Sequence, residues 1–367
     1  MITKWFLERN GDSSMKQGLK RVFSVVLSML LVFTAVNWPN STNAAASTTS
    51  QPTLSKPVKA YENTYLIYNA SELYWYAALV NGTLTDGTAK DRTASASLQA
   101  DITLNTNVLK SNGTLNGDGS NFIEWTPISS GYTGSFNGNG HTISGVYVNS
   151  DQDYQGFFGS VSLDQYKTLE IKNLTIKDSY VKGNNNTGGL VGCIQGSKGY
   201  NYVIDNCGFE GTVIGNKYTG GLLGMMYRIT LSDSYSNGNV IGGSCVGGVA
   251  GHGFGISVTN CYSAAKVSGS STVGDMTGAS SYCSYSNCYY LAWSDEEYGL
   301  GSYSGSTVPI AKTKTQFNSG EVAYLLNGST SLGTLTWGQR IGTNNFPVFW
   351  YTRSTVYSSG SSYYNCK

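Results

Sequence analysis

The chain has 367 residues, with 23 Lys and Arg against 22 Asp and Glu, for a net charge of +1 at neutral pH. Charged residues make up only 12%, about half the usual share, while 46 Gly and 27 Tyr are both high. A charge balance this close to zero leaves no electrostatic footprint for nucleic acid and no polybasic membrane patch.

Residues 1–46 read as an export signal. Lys16, Lys20 and Arg21 form a basic n-region, Val22 to Val36 is an apolar run, and Ala44-Ala45-Ala46 offers a cleavage site. Met15 would give the segment a more usual length as a start. An uncleaved anchor is the competing reading, but Ser24, Ser28 and Thr34 interrupt a run already short for a span. Removing the segment leaves 18 basic and 20 acidic residues, and no second apolar span follows Val36. The expectation is a secreted protein, released or held at the cell surface, with no membrane span after signal removal.

Residues 47–60, rich in Ser, Thr and Pro, read as a linker. Residues 61–110 form an N-terminal cap whose helix starts near Ser71, a capping hydroxyl. It carries Leu73, Tyr76, Ala77 and Val80 at helical spacing and stops at Asn81-Gly82. From Leu98 the pattern turns to short β-rich runs. Asn112-Gly113, Asn116-Gly117, Asn137-Gly138 and Asn139-Gly140 punctuate them as turn signals.

Residues 111–310 carry a repeat. Gly-Gly-apolar-apolar-Gly occurs at 188–192, 220–224 and 247–251. Leu174, Cys207, Ser234, Cys261 and Cys288 follow one another at intervals of 33, 27, 27 and 27 residues. A fixed period of this size marks a solenoid, and 27 residues divide into three short strands with turns. The pattern predicts an all-β parallel β-helix. Two columns fit it: Asn173, Asn206, Asp233, Asn260 and Asn287 as a side-chain ladder, and Tyr235, Tyr262 and Tyr289 as an aromatic stack. Residues 311–367 form a C-terminal cap and β tail. Its helix opens on Asn318 and Glu321 in a capping-box pattern, runs through Val322, Ala323, Leu325 and Leu326, and closes at Asn327-Gly328. Short helical caps are therefore expected at both ends of the solenoid.

The glycine units at 188–192, 220–224 and 247–251 resemble the GLUG repeat of bacterial secreted and surface proteins. So do the approach segments 134–143 and 98–102. The likeness spans about residues 61–350. It implies export, a right-handed parallel β-helix, and roles in adhesion or surface display. It also extends to non-catalytic parts of IgA-specific metallopeptidases, but this chain has no His-Glu-x-x-His, so peptidase activity is not carried over.

Chemistry-bearing residues are sparse. The seven Cys (193, 207, 245, 261, 283, 288 and 366) form no CxxC pair, and three of them share one inward repeat position. Stacked Cys261 and Cys288 would lie about 4.8 Å apart as strands, close enough for a disulfide that the spacing does not demand. Asp151, Asp153, Asp178, Asp205 and Asp233 are the carboxylates a glycosidase could use, yet Asp233 falls in the ladder. Asp151 and Asp153 sit in a loop where the EF-hand pattern fails at Ser162. His141 and His252 stand alone. No metal site, cofactor or catalytic residue is assigned. The tyrosine column could serve sugar rings or protein as a platform, or its members could stack only on one another. The reading is a non-catalytic β-helix for adhesion or display, with extracellular glycans or cell-surface proteins as partners. The alternative is a polysaccharide lyase or glycoside hydrolase on the same scaffold.

Overall fold

The computed structural model describes residues 52–129, 131–162, 169–196, 202–294, 298–329, 335–349, 356–359 and 361–365. The expected export signal, the part of the expected linker before Pro52, Trp350 and Cys366 lie outside them. Strands pair in parallel from rung to rung with the period read from the sequence. Tyr235–Ile241 pairs residue for residue with Tyr262–Ser268, and Val203, Thr230, Ser257 and Ser284 align in one column. Leu223, Ala250 and Thr277 make a second column; Thr187, Thr219, Val246 and Val273 make a third. The chain is a parallel β-helix. Parallel stacking also reaches back into the segment expected as a cap, because Thr64–Ile67 pairs with Ser95–Leu98 and Ala96 with Phe136.

Each rung turns at corners held by left-handed backbone. One corner is Asn173, Asn206, Asp233, Asn260 and Asn287, with φ of 45–54°. A second is Asn186, Tyr218, Cys245 and Thr272, and a third Arg228, Gly255 and Tyr282. Asn and Asp tolerate this region better than other side chains, which gives the Asn column a backbone reason. The Gly-Gly-x-x-Gly signature has a separate cause. A Cβ on Gly221 would overlap the carbonyl oxygen of Gly248, and one on Gly248 would overlap Ser263 and the Asp275 carbonyl. Adjacent rungs touch backbone to backbone there.

Inside, like residues stack: Leu174, Cys207, Ser234, Cys261 and Cys288 are all at most 2% exposed, as are Ile171, Ile204, Leu231 and Val258. The six described cysteines stand as free thiols. Cys207, Cys261 and Cys288 each donate to the carbonyl two residues earlier at 3.2–3.3 Å. Burial pushes the Cys207 and Cys261 thiols well up.

Helix α1, Ala70–Asn81, lies at the N-terminal end and buries Leu73, Tyr74, Trp75, Tyr76, Ala77, Leu79 and Val80. Its cap is Asn69, which accepts from the Glu72 N–H at 3.1 Å, rather than Ser71; left-handed Gly82 ends it. Val58–Lys59 closes the outer edge of the first rung as an antiparallel strand, inside a stretch expected to be linker. The C-terminal helix is two short ones, α2 (Lys314–Asn318) and α3 (Glu321–Leu326). Thr313 and Gln316 form the capping box at the start of α2, whereas Asn318 lies inside it; Gly320 precedes α3 without a side-chain cap. These helices lie across the tyrosine flank of three successive rungs, with Phe317, Val322, Leu326, Trp337 and Phe349 packed on Tyr235, Tyr262 and Tyr289. No described strand pairs with the outer edges of Leu300–Gly305 or Ile310–Lys312.

Candidate binding face

The tyrosine column is stacked but not available to a ligand. Tyr235 and Tyr262 lie 5.1 Å apart and 9° from parallel, yet Tyr235, Tyr262 and Tyr289 are only 3%, 0% and 5% exposed. The Tyr262 hydroxyl donates to the Pro347 carbonyl at 2.6 Å, and the Tyr235 hydroxyl to Glu210 Oε1 at 2.6 Å. The geometry corrects the platform reading. A flat apolar column is covered by the chain's own C-terminal segment, because burying it against Trp337 and Phe349 is more favourable than leaving it wet.

The ladder residues form a run of side-chain bonds. Asn173 Nδ2 donates to Asn137 Oδ1 at 3.0 Å, Asn206 Nδ2 to Asn173 Oδ1 at 2.8 Å, Asn260 Nδ2 to Asp233 Oδ1 at 3.2 Å, and Asn287 Nδ2 to Asn260 Oδ1 at 3.2 Å. The link between Asn206 and Asp233 is missing, and Asn206 Oδ1 is buried without a partner.

Apart from Asp205, which comes close to the ladder's Asp233, the other carboxylates do not converge. Asp151 pairs with Lys182 at 3.0 Å, and Asp153 Oδ1 accepts from Asn184 and Asn185 side chains at 2.8 and 3.1 Å. Asp178 is an exposed left-handed residue. Asp205 accepts from Ser232 Oγ at 2.5 Å and lies beside Asp233, whose carboxyl sits in the ladder. A cleft of about 690 Å³ between α1 and residues 123–127 contains Tyr74, Trp125 and Glu124, with no second carboxylate to pair with Glu124. Among the described residues no group of three His, Cys, Asp or Glu could hold a metal. His141 meets Asp101 at 3.3 Å on the surface.

A different aromatic column is partly exposed. On the strands Leu223–Tyr227 and Ala250–Phe254, residues alternate in and out, and Met225, Tyr227, His252 and Phe254 face outward, all half-buried. Tyr227 and Phe254 stack at 5.1 Å and 13°, and Phe254 meets the edge of Tyr282, which is 74% exposed, at 5.4 Å. Arg228 lies 5.0 Å over the Tyr227 ring. At the other corner Tyr218 packs 5.0 Å from His252, and Lys217 lies 4.6 Å over Tyr218. Burial first, then the Lys217 charge, lowers the His252 pKa, so its ring is neutral at neutral pH. Neither Lys217 nor Arg228 belongs to an ion pair among the described residues. The strands of this face (Phe158–Ser162, Val191–Gln195, Leu223–Tyr227, Ala250–Phe254, residues 277–281 and Leu300–Gly305) hold no Asp or Glu. The sequence carried one signal for it, since Tyr227 and Phe254 are 27 residues apart.

Comparison with known proteins agrees with this architecture. The family model of the GLUG motif matches residues 242–268. Over 94 residues the chain is 38% identical to halomucin from Haloquadratum walsbyi, a match covering 25% of this chain and 1% of halomucin. The chain therefore spans about a hundredth of that relative's length. A solved structure from Bacteroides ovatus, provisionally named an immunoglobulin A1 protease, superposes with a TM-score of 0.50 at 20% identity. That match covers 81% of this chain and 95% of the other, and at this identity it speaks for the fold alone. With three in-phase glycine signatures and the motif model lying on the third, the chain is a GLUG-repeat-containing protein built as a parallel β-helix.

Proposed function

We propose that this is a non-catalytic, secreted or surface-held β-helix that binds an acidic glycan on the Tyr227–Phe254–Tyr282 face. One observation carries the reading: a partly exposed aromatic column is flanked by two cations that belong to no ion pair among the described residues, on strands with no carboxylate. Aromatic rings stack on the apolar faces of sugars, and Lys and Arg recognise carboxylate or sulfate groups. The likeness to halomucin supports a surface or secreted setting. Apart from Asp205 and the ladder-held Asp233 the carboxylates are scattered, which weighs against a lyase or glycosidase with its groups in one groove.

The test is a binding and turnover screen with a polyuronate, a sulfated glycan and a neutral glucan. The expected result is saturable binding of an acidic chain that weakens with salt. Phe254→Ala and Arg228→Ala should each lower affinity by roughly tenfold, with no new reducing ends or unsaturated products. Product formation would establish the enzyme reading instead. Equal binding by the two variants and the parent would remove this face from consideration.

A further inference from the structure

The side-chain ladder runs in one direction. From Asn287 back to Asn137, each amide nitrogen donates to the oxygen of the previous rung, except where Asp233 replaces an amide. Asp233 accepts from Asn260, as an Asn would, but an ionised carboxyl has nothing to donate onward. The next group in line, Asn206 Oδ1, is buried and lacks a donor. Register sets Asp233 beside Asn206, leaving an acceptor on each side of the one gap in the run.

We propose that Asp233 is protonated under mildly acidic conditions, and that its carboxyl O–H then donates to Asn206 Oδ1, closing the ladder into one continuous run across the rungs from Asn137 to Asn287. The proton comes from solvent, and no covalent chemistry is involved. Its uptake ties the two halves of the ladder together beside Ser234 and Tyr235, where the C-terminal cap rests. Loss of the proton reopens the gap, so the protein senses acidity in its scaffold rather than at its binding face.

The surroundings favour the neutral acid. Burial and then the Asp205 charge push the Asp233 pKa up to about 6, against the pull of Asn260 and Trp337. The buried Trp337 Nε1 lies near enough to lower the value yet outside hydrogen-bonding geometry. From the neighbouring rungs the groups facing this corner are Asp205, bonded to Ser232 Oγ, and the buried thiol of Cys261. Lys172, opposite Asp205 one rung further on, is engaged by Glu170 at 2.6 Å. No Lys or Arg is among the groups that shift Asp233. A carboxyl raised in the folded state stabilises it below the ordinary Asp range, and that stability disappears as pH rises through about 6.

The experiment is denaturant unfolding of the full chain and of Asp233→Asn across this pH window. An amide supplies the onward donor at every pH. The ratio of unfolding constants, parent over variant, should therefore fall ~100-fold between about pH 7.5 and pH 3.5, with the variant the more stable at neutral pH. A ratio flat in pH, or a variant less stable than its parent at neutral pH, overturns the proposal. If Asp233→Asn does not fold, carboxyl-labelled Asp resonances of the parent and of Asn206→Ala decide the matter. Removing the acceptor should lower the Asp233 pKa, and an unchanged titration refutes the bond.

Discussion

Tyr262 shows how spacing can fix a residue's position and leave its role open. Its 27-residue spacing to Tyr235 and Tyr289 put it in a column, and the column exists. Period alone cannot say whether water or the chain's own tail covers that column. Trp337 lies 5.4 Å from the Tyr262 ring and Phe317 5.7 Å, so the ring serves as core. Tyr262→Ala should therefore cost about 3–5 kcal/mol of stability, as a large buried aromatic does, and leave glycan binding by the folded fraction unchanged. Urea unfolding beside a binding isotherm would check this; a loss of affinity at intact stability would return the tyrosines to the binding surface. Phe254 is the converse case, with the same period but a column that stays partly exposed.

The corners set the rules for each element. Thr272 adopts φ 54° at the corner where Asn186, Tyr218 and Cys245 precede it. A β-branched side chain is poorly suited to that region, and local strain of this kind costs about 1–3 kcal/mol. Thr272→Asn is expected to stabilise the chain by about 1 kcal/mol, seen as a higher denaturant midpoint with an unchanged slope. Gly248→Ala should do the opposite. Its Cβ would strike the Asp275 carbonyl and Ser263, so neighbouring rungs must separate at a cost of about 1–3 kcal/mol. A neutral effect there would mean that the glycine signature answers to something other than rung contact. Helix boundaries show the limit of local reading. The extent of α1 was legible from spacing and from Asn81-Gly82, but its cap was not, because Asn69 and Ser71 are both good capping residues only two positions apart. At the other end Thr313–Gln316 and Asn318–Glu321 both fit a capping pattern, and packing chose the first.

Across the whole molecule, thiol chemistry can report whether the stack opens as one body or rung by rung. Cys193, Cys207, Cys261, Cys283 and Cys288 are buried, while Cys245 is partly exposed at a corner. In a Cys366→Ser background, Cys245 should react with a small alkylating reagent under native conditions. The five buried thiols should react only at the rate of global unfolding. Early modification of Cys283 and Cys288 ahead of Cys207 would show that the stack frays from the end with the open strand edges. The sequence by itself determined the parallel β-helix, its 27-residue rung, the columns and the glycine signature. All of these follow from a local pattern repeated in register, which any stacked rung must satisfy. The tertiary structure alone decided which columns face water, where the C-terminal helices lie, and that Asp233 stands opposite an unpaired acceptor. Those outcomes depend on how segments distant in the chain compete for the same apolar surface, and no periodicity records that competition.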